Sequence, residues 1–197
     1  MAEPLHSELP SGMTVDAFLV WAEGRPGRHE LELGRVIEMA PEMASHNRAK
    51  TAAQRALAHA VARAGISCES FSDGMTVRVD RMTAYEPDAV VHCGPSVPPD
   101  AIEVPHPVVV VEVVSPSSGS RDHDEKLVGY FLVPSIRHYL IVNPDRRILV
   151  HHARDGDSIR TRILDGGALR LDPPGLELSI EDLFGGRPET EAHGPAS

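Results

Sequence analysis

The sequence predicts a mixed β-sheet flanked by helices, in an α/β or α+β arrangement, and three of its features carry that prediction. Pro107 to Val114 reads PVVVVEVV, short enough for one strand and rich enough in β-branched residues to be a central strand buried on both faces. Between Ser45 and Ala64 the apolar positions Ala49, Ala52, Ala53, Ala56, Leu57, Ala60 and Val61 recur at helical spacing, and Gly65 supplies a C-terminal stop. Elsewhere, short β-like segments alternate with clusters of turn-forming residues.

Taken in order, Thr14 can cap a short helix running to about Glu23, with Phe18, Leu19 and Trp21 available to the core. A hairpin follows, its arms His29 to Leu33 and Val36 to Met39 turning at Gly34-Arg35. Beyond the Ser45 helix come β-like segments at about Ser67 to Ser72, Met75 to Val79, Pro87 to His92 and Pro107 to Val113. After the Ser/Pro/Gly stretch Ser115 to Ser120, the segment Arg121 to Leu132 reads as a helix that Pro134 closes. Arg137 to Val142 and Arg147 to His152 form a second hairpin across Asn143-Pro144-Asp145-Arg146. Strands near Ile159 to Leu164 and Leu169 to Leu171 precede a last turn of helix capped by Ser179.

A chain of 197 residues, 41% of them hydrophobic, can bury one core, so a single domain over residues 11–184 is expected. Residues 1–10 and 185–197 read as disordered tails. Neither cysteine, Cys68 or Cys93, belongs to a C-x-x-C pair; there is no zinc signature or disulfide framework, and both read as buried thiols. The start lacks the pattern of a signal peptide and Glu112 interrupts the longest apolar run, so a cytoplasmic protein without a membrane partner is expected. A formal net charge of −10 argues against a surface that grips phosphate everywhere, while leaving room for a local basic patch. No G-x-G-x-x-G, Walker A or G-x-S-x-G motif is present, and Ser115, Ser117, Ser118 and Ser120 have no arranged His–Asp signature.

Glu112 is the most informative residue, because a carboxylate amid valines costs several kcal/mol, as a rough transfer estimate, if buried without a partner. A metal ion, a buried base or a solvent-facing strand end would each supply one. Asp88, about two dozen residues upstream, suits a neighbouring strand, although an Asp after Pro is by itself more often a turn residue. Together the two form the minimal oxygen cage for Mg²⁺, which takes one or two protein carboxylates plus waters and substrate phosphate.

Asp122 and Lys126 lie four apart on the helix after the Glu112 strand, with Tyr130 continuing the same face. They are either a surface ion pair or a catalytic lysine with its positioning acid. Glu30, on a hairpin strand, and His46, in the first turn of the Ser45 helix, are ordinary solvent-facing residues by default and matter only together with the others. His123, His151 and His152 have no ligand spacing and read as solvated. The Ser45 helix contains no Asp or Glu but carries Arg48, Lys50, Arg55 and Arg63, of which Arg48, Arg55 and Arg63 make either a phosphate-facing stripe or a wet helix face.

The ordered set Glu30-Leu31, Gly34-Arg35-Val36, Met39-Ala40-Pro41, His46, Pro87-Asp88, Glu112-Val113-Val114-Ser115-Pro116-Ser117, Asp122, Lys126, Tyr130 and Tyr139-Leu140-Ile141-Val142-Asn143-Pro144 resembles the Uma-two family of restriction-endonuclease-like proteins. The resemblance covers nearly all of the expected domain. It implies a PD-(D/E)XK nuclease-like core, a restriction-endonuclease-like mixed sheet, with Asp88 and Glu112 as metal-binding carboxylates and Glu30 as a further acid. Val114 stands where the superfamily commonly has its Lys, and Lys126 on the following helix replaces it, as is usual in this family. His29 stands where the family often has Tyr, and Leu33 where an Asp often precedes the Gly.

The implied chemistry is Mg²⁺-dependent hydrolysis of phosphodiesters, with Mn²⁺ as a substitute ion, Lys126 on the attacking water, and His46 and Asp122 in support. Nucleic acid, DNA foremost, is the implied partner, and cutting both strands would suit a homodimer. Two other readings stand beside it. One is a catalytically weak binding or regulatory module, which the acidic balance favours; the other is a metal-dependent hydrolase of a small phosphate or nucleotide.

Overall fold

The computed structural model describes residues 9–114 and 120–185, the side chains of residues 120–123 excepted. Helix α1 (Val15–Ala22) starts where Thr14 accepts a hydrogen bond from the Ala17 N–H, and it buries Val15 and Phe18. Strands β1 (His29–Glu32) and β2 (Arg35–Glu38) pair with Glu32 opposite Arg35. The turn is therefore Leu33-Gly34, one residue earlier than the sequence suggests, and both residues have positive φ (47° and 79°), as a two-residue hairpin with the right twist requires.

Helix α2 (Ala44–Ala64) ends at Gly65, whose φ of 62° lets its N–H reach the Val61 carbonyl. Its buried Ala49, Ala53, Ala56, Leu57 and Ala60 meet Ala89, Val91, Val109 and Val111 of the sheet, and the small side chains let the helix lie close. Strand β3 (Cys68–Ser72) follows, then the short β4 (Val77–Arg78) and β5 (Ala84–Tyr85). Strands β6 (Ala89–Cys93) and β7 (Pro107–Val113) pair antiparallel, and β7 pairs parallel with β8 (His138–Asn143) after a crossover through α3 (Ser120–Leu132). The hairpin partner β9 (Ile148–Asp155), β10 (Ser158–Leu164), β11 (Ala168–Leu171), β12 (Leu176–Ser179) and α4 (Ile180–Leu183) complete the described chain.

The main sheet runs β10-β9-β8-β7-β6-β3, mixed through the one parallel pair. A second sheet runs β2-β1-β5-β4, and β11-β12 forms a ribbon. Helices α2 and α4 and the β11-β12 ribbon cover one face of the main sheet, and α3 covers the other with Tyr130 and Phe131 against Val110 and Tyr139. This is an α+β fold with a mixed sheet flanked by helices. Among the described residues no helix is long and apolar enough to cross a membrane.

Several expectations need correction. Cys68 and Cys93 are not free thiols: the β3–β6 register sets them directly opposite, and they are joined as a disulfide. Asp88 precedes β6 instead of lying within it, strand β5 escaped the pattern because it spans two residues, and β12, with its alternating buried and exposed residues, was not expected. His151 and His152 are not solvated, being 4% and 7% exposed. They point to opposite faces of an inner strand, each covered: His152 stacks on Tyr139, and His151 pairs with His138 at 3.0 Å. Lys50 does not belong to a wet helix face, since it is 4% exposed. His123, the Asp122 side chain and the expected tails over residues 1–8 and 186–197 fall outside the described residues.

Candidate active site

The β6–β7 register pairs Ala89 with Val111, so one further step sets Asp88 opposite Glu112 at the end of the main sheet. Alternation puts Glu112 on the Val110 face, beneath α3, whereas Val111 and Val113 face α2. The Asp88 carboxylate is anchored by the Val113 N–H at 2.7 Å. His46, from the first turn of α2, donates through Nε2 to the Val113 carbonyl at 2.6 Å, and that nitrogen is 3.9 Å from Asp88 Oδ2. Asp88 and Glu112 thus meet at a backbone segment that one carboxylate and one imidazole hold from two sides.

The helix α3 brings Lys126 to the same place. Its ammonium donates to Glu30 Oε1 at 2.9 Å and to Glu112 Oε1 at 3.1 Å, and it lies 5.4 Å from the centre of the Tyr85 ring. Tyr130, one turn on, donates its hydroxyl to Glu112 Oε1 at 2.6 Å. Glu30 is itself fixed by the Glu86 N–H. So Glu30, Asp88, Glu112, Lys126 and His46, read from separate stretches of sequence, converge, and Glu30, Asp88, Glu112 and Lys126 are all buried. Arg48 and Arg55 project from α2 into solvent, while the guanidinium of Arg63 is tied to the Glu177 carbonyl at 2.8 Å.

Lys50 joins this group without any motif to announce it. Its ammonium lies 2.6 Å from Glu42, 2.7 Å from Asp73 and 2.8 Å from Asp88. Arg28 binds Glu42, Asp73 and Glu86 beside it. A signal existed: Lys50 precedes Ala53, Leu57 and Ala60 by three, seven and ten residues, which puts a cation in line with the helix's apolar stripe.

Electrostatics follow from burial. The Glu112 carboxyl is raised above the usual carboxylate range because burial disfavours its charge; Lys126 opposes this, Asp88 and Glu30 add to it, and the Tyr130 hydrogen bond works against it. Burial and the neighbouring Glu112 and Glu30 push the Tyr130 phenol well up. Burial pulls the Lys50 ammonium down, but Asp88 and the hydrogen bonds to Asp73, Asp88 and Glu42 more than offset it, and the net shift is upward.

A divalent cation fits this donor set in chemistry and in charge. Among the described residues six acids (Glu30, Glu42, Asp73, Glu86, Asp88 and Glu112) are linked to three permanent cations (Arg28, Lys50 and Lys126), which leaves this group negative even with Glu112 protonated. Among the described residues no three His, Cys, Asp or Glu side chains form a ready cage. Two carboxylates and a backbone carbonyl, all hard oxygens, are nonetheless what Mg²⁺ takes from a protein when waters and phosphate complete its shell.

The model of the Uma2 family, described as "Putative restriction endonuclease", matches residues 15–183. "Uncharacterized protein slr1290" of Synechocystis sp. (strain ATCC 27184 / PCC 6803 / Kazusa) is 24% identical over 177 residues, covering 88% of this chain and 92% of its own. A crystal structure described as a putative nuclease belonging to DUF820, from Anabaena variabilis ATCC 29413, superposes with a TM-score of 0.67 at 17% identity, over 87% of this chain and 97% of that one. The likeness to the solved structure concerns the fold alone.

Proposed function

Because the chain belongs to the Uma2 family, we propose that it is a metal-dependent endonuclease that hydrolyses phosphodiester bonds of nucleic acid, DNA foremost. The observation that carries the reading is the burial of Lys126 between Glu30 and Glu112, with Asp88 on the adjoining strand end. A lysine that served only as a surface ion-pair partner would instead keep its ammonium in water.

In this reading Asp88 and Glu112 hold Mg²⁺, or Mn²⁺ in its stead, with the Val113 carbonyl as a further oxygen. When bound, the ion supplies Lewis acidity to the scissile phosphate and acidifies the attacking water. The protein's own groups do the rest. Glu30 and Glu112 aim the Lys126 ammonium, which donates to the water or to the phosphate as charge develops there. The Tyr130 hydroxyl fixes one Glu112 oxygen, and His46 holds the Val113 carbonyl in place.

Plasmid nicking in Mg²⁺, read beside Mn²⁺ calorimetry, tests this. Lys126→Met should abolish nicking and leave Mn²⁺ affinity within about threefold, since it removes a group that acts mainly in the transition state. Glu112→Gln should weaken Mn²⁺ binding by about tenfold or more, a loss of at least about 1.4 kcal/mol. Normal nicking by Lys126→Met, or equal Mn²⁺ affinity of Glu112→Gln, overturns the assignment.

One observation favours a second reading, a nuclease-fold binding module without turnover: Lys50 already neutralises Asp88 at 2.8 Å. Salt-sensitive DNA binding by the wild-type chain with no nicking in either metal would select it.

A further inference from the structure

We infer that a groove between the tip of the β1–β2 hairpin and α3 is the docking site for a cationic amphipathic helix of a partner protein. The groove encloses about 450 Å³, and its lining divides sharply by chemistry. Leu33, Val79, Val128, Gly129 and Leu132 give it an apolar floor. Glu32, Asp80, Asp124 and Glu125 stand around it, and among the described residues no Lys, Arg or His lines it.

Three large apolar side chains are left in water here: Leu33 is 76% exposed, Val128 63% and Leu132 61%. Val128 and Leu132 are one helical turn apart and make a ridge along α3. Such a concentration on one patch is the mark of an interaction surface, whereas single exposed apolar residues are ordinary. Leu33 sharpens the point. It has a φ of 47° at a turn position that Asn, Asp or Gly occupies with little strain, so a leucine there costs folding free energy and recovers little by burial. Its use therefore lies outside the isolated chain.

Charge selects the occupant. Among the described residues, Asp80, Asp124 and Glu125 around an apolar floor repel nucleic acid and anionic lipid alike, and they complement Lys or Arg flanking the apolar stripe of a helix. Residues 1–8 and 186–197 are not cationic: the first carry Glu3 and Glu8 without Lys or Arg, and the second carry Glu189 and Glu191 against Arg187. Tyr85 ties the groove to the candidate active site, since it lines the one while its ring lies under the Lys126 ammonium of the other. Docking at the groove stands apart from nuclease activity, because binding there needs no turnover.

The test uses the full chain and a fluorescein-labelled peptide with Leu and Lys placed at amphipathic helical spacing, followed by fluorescence anisotropy. The peptide should bind saturably, and Leu33→Asp and Val128→Asp should each weaken it by about tenfold or more, as should the double charge reversal Asp124→Lys with Glu125→Lys. A scrambled peptide of equal composition should bind about tenfold less tightly. Leu33→Asp guards against misfolding as an explanation, because Asp tolerates positive φ better than Leu and thermal melts should show no loss. Wild-type affinity in the groove variants, or equal binding of the scrambled peptide, overturns the inference. So does displacement of the peptide by a single-stranded oligonucleotide, or self-association without peptide that Leu33→Asp abolishes, which would give the groove to nucleic acid or to a second copy of this chain.

Discussion

Lys50 keeps its charge inside the fold because Glu42, Asp73 and Asp88 each approach its ammonium within 2.8 Å. The cost of taking a cation out of water is then met by hydrogen-bonded counter-charges, and the same bonds hold Asp88 in place. Removing one partner of such a cluster exposes the full desolvation cost of the others. Lys50→Met should therefore destabilise the chain by about 3 kcal/mol, measured by urea unfolding, although Met matches the stem in volume. A loss below about 1 kcal/mol, the value of an exposed pair, would mean that Lys50 reaches water in solution.

At the scale of elements, α2 carries two unlike faces. Its alanines press on the sheet, and its N-terminal turns deliver His46 and Lys50 to the end of β7, so the helix is a positioning device as much as core. Its outer face holds Arg48 and Arg55, whereas Arg63 is committed to the Glu177 carbonyl. If nucleic acid lies along this helix, Arg48 and Arg55 on its exposed face can reach the phosphates. Arg48→Glu with Arg55→Glu should lower DNA affinity and flatten the slope of log K against log salt by about two, near one for each arginine reversed. An unchanged slope would make both residues ordinary solvated arginines.

The whole molecule buries an unusual set of neutral histidines. Burial, with His138 and Arg162 nearby, lowers His151 to about 3, and burial lowers His138 and His152 as well. The unfolded chain takes up these protons below about pH 6.5, the folded chain much later. Their contribution to stability is thus complete above about 6.5 and is lost as pH falls toward 3, at up to about 1.4 kcal/mol per pH unit for each group. Glu112 has the opposite sign: its raised carboxyl favours the fold at low pH and loses that contribution as pH rises. Urea unfolding between pH 7 and 4 should show falling stability, and His151→Gln should make the fall shallower. An equal slope in the variant would assign the acid sensitivity elsewhere.

What the sequence alone determined were features with a local cause. The alanine spacing and Gly65 marked α2 to within a residue, and Thr14 marked the start of α1, because helix periodicity and caps are written in neighbouring residues. Glu112 announced a need for a partner simply by standing among valines. Tertiary structure alone decided what that partner is and which other residues join it. Sheet register sets Asp88 opposite Glu112 and joins Cys68 to Cys93, and the way α2 and α3 cross opposite faces sends Lys50 to one carboxylate and Lys126 to the other. Burial of Lys50 and of His151 depends on chain from distant positions covering them, and a side chain's own sequence neighbours carry no record of what covers it. The pairing of carboxylates with lysines is a property of strand order and helix placement, which arise only when the separate segments share one core.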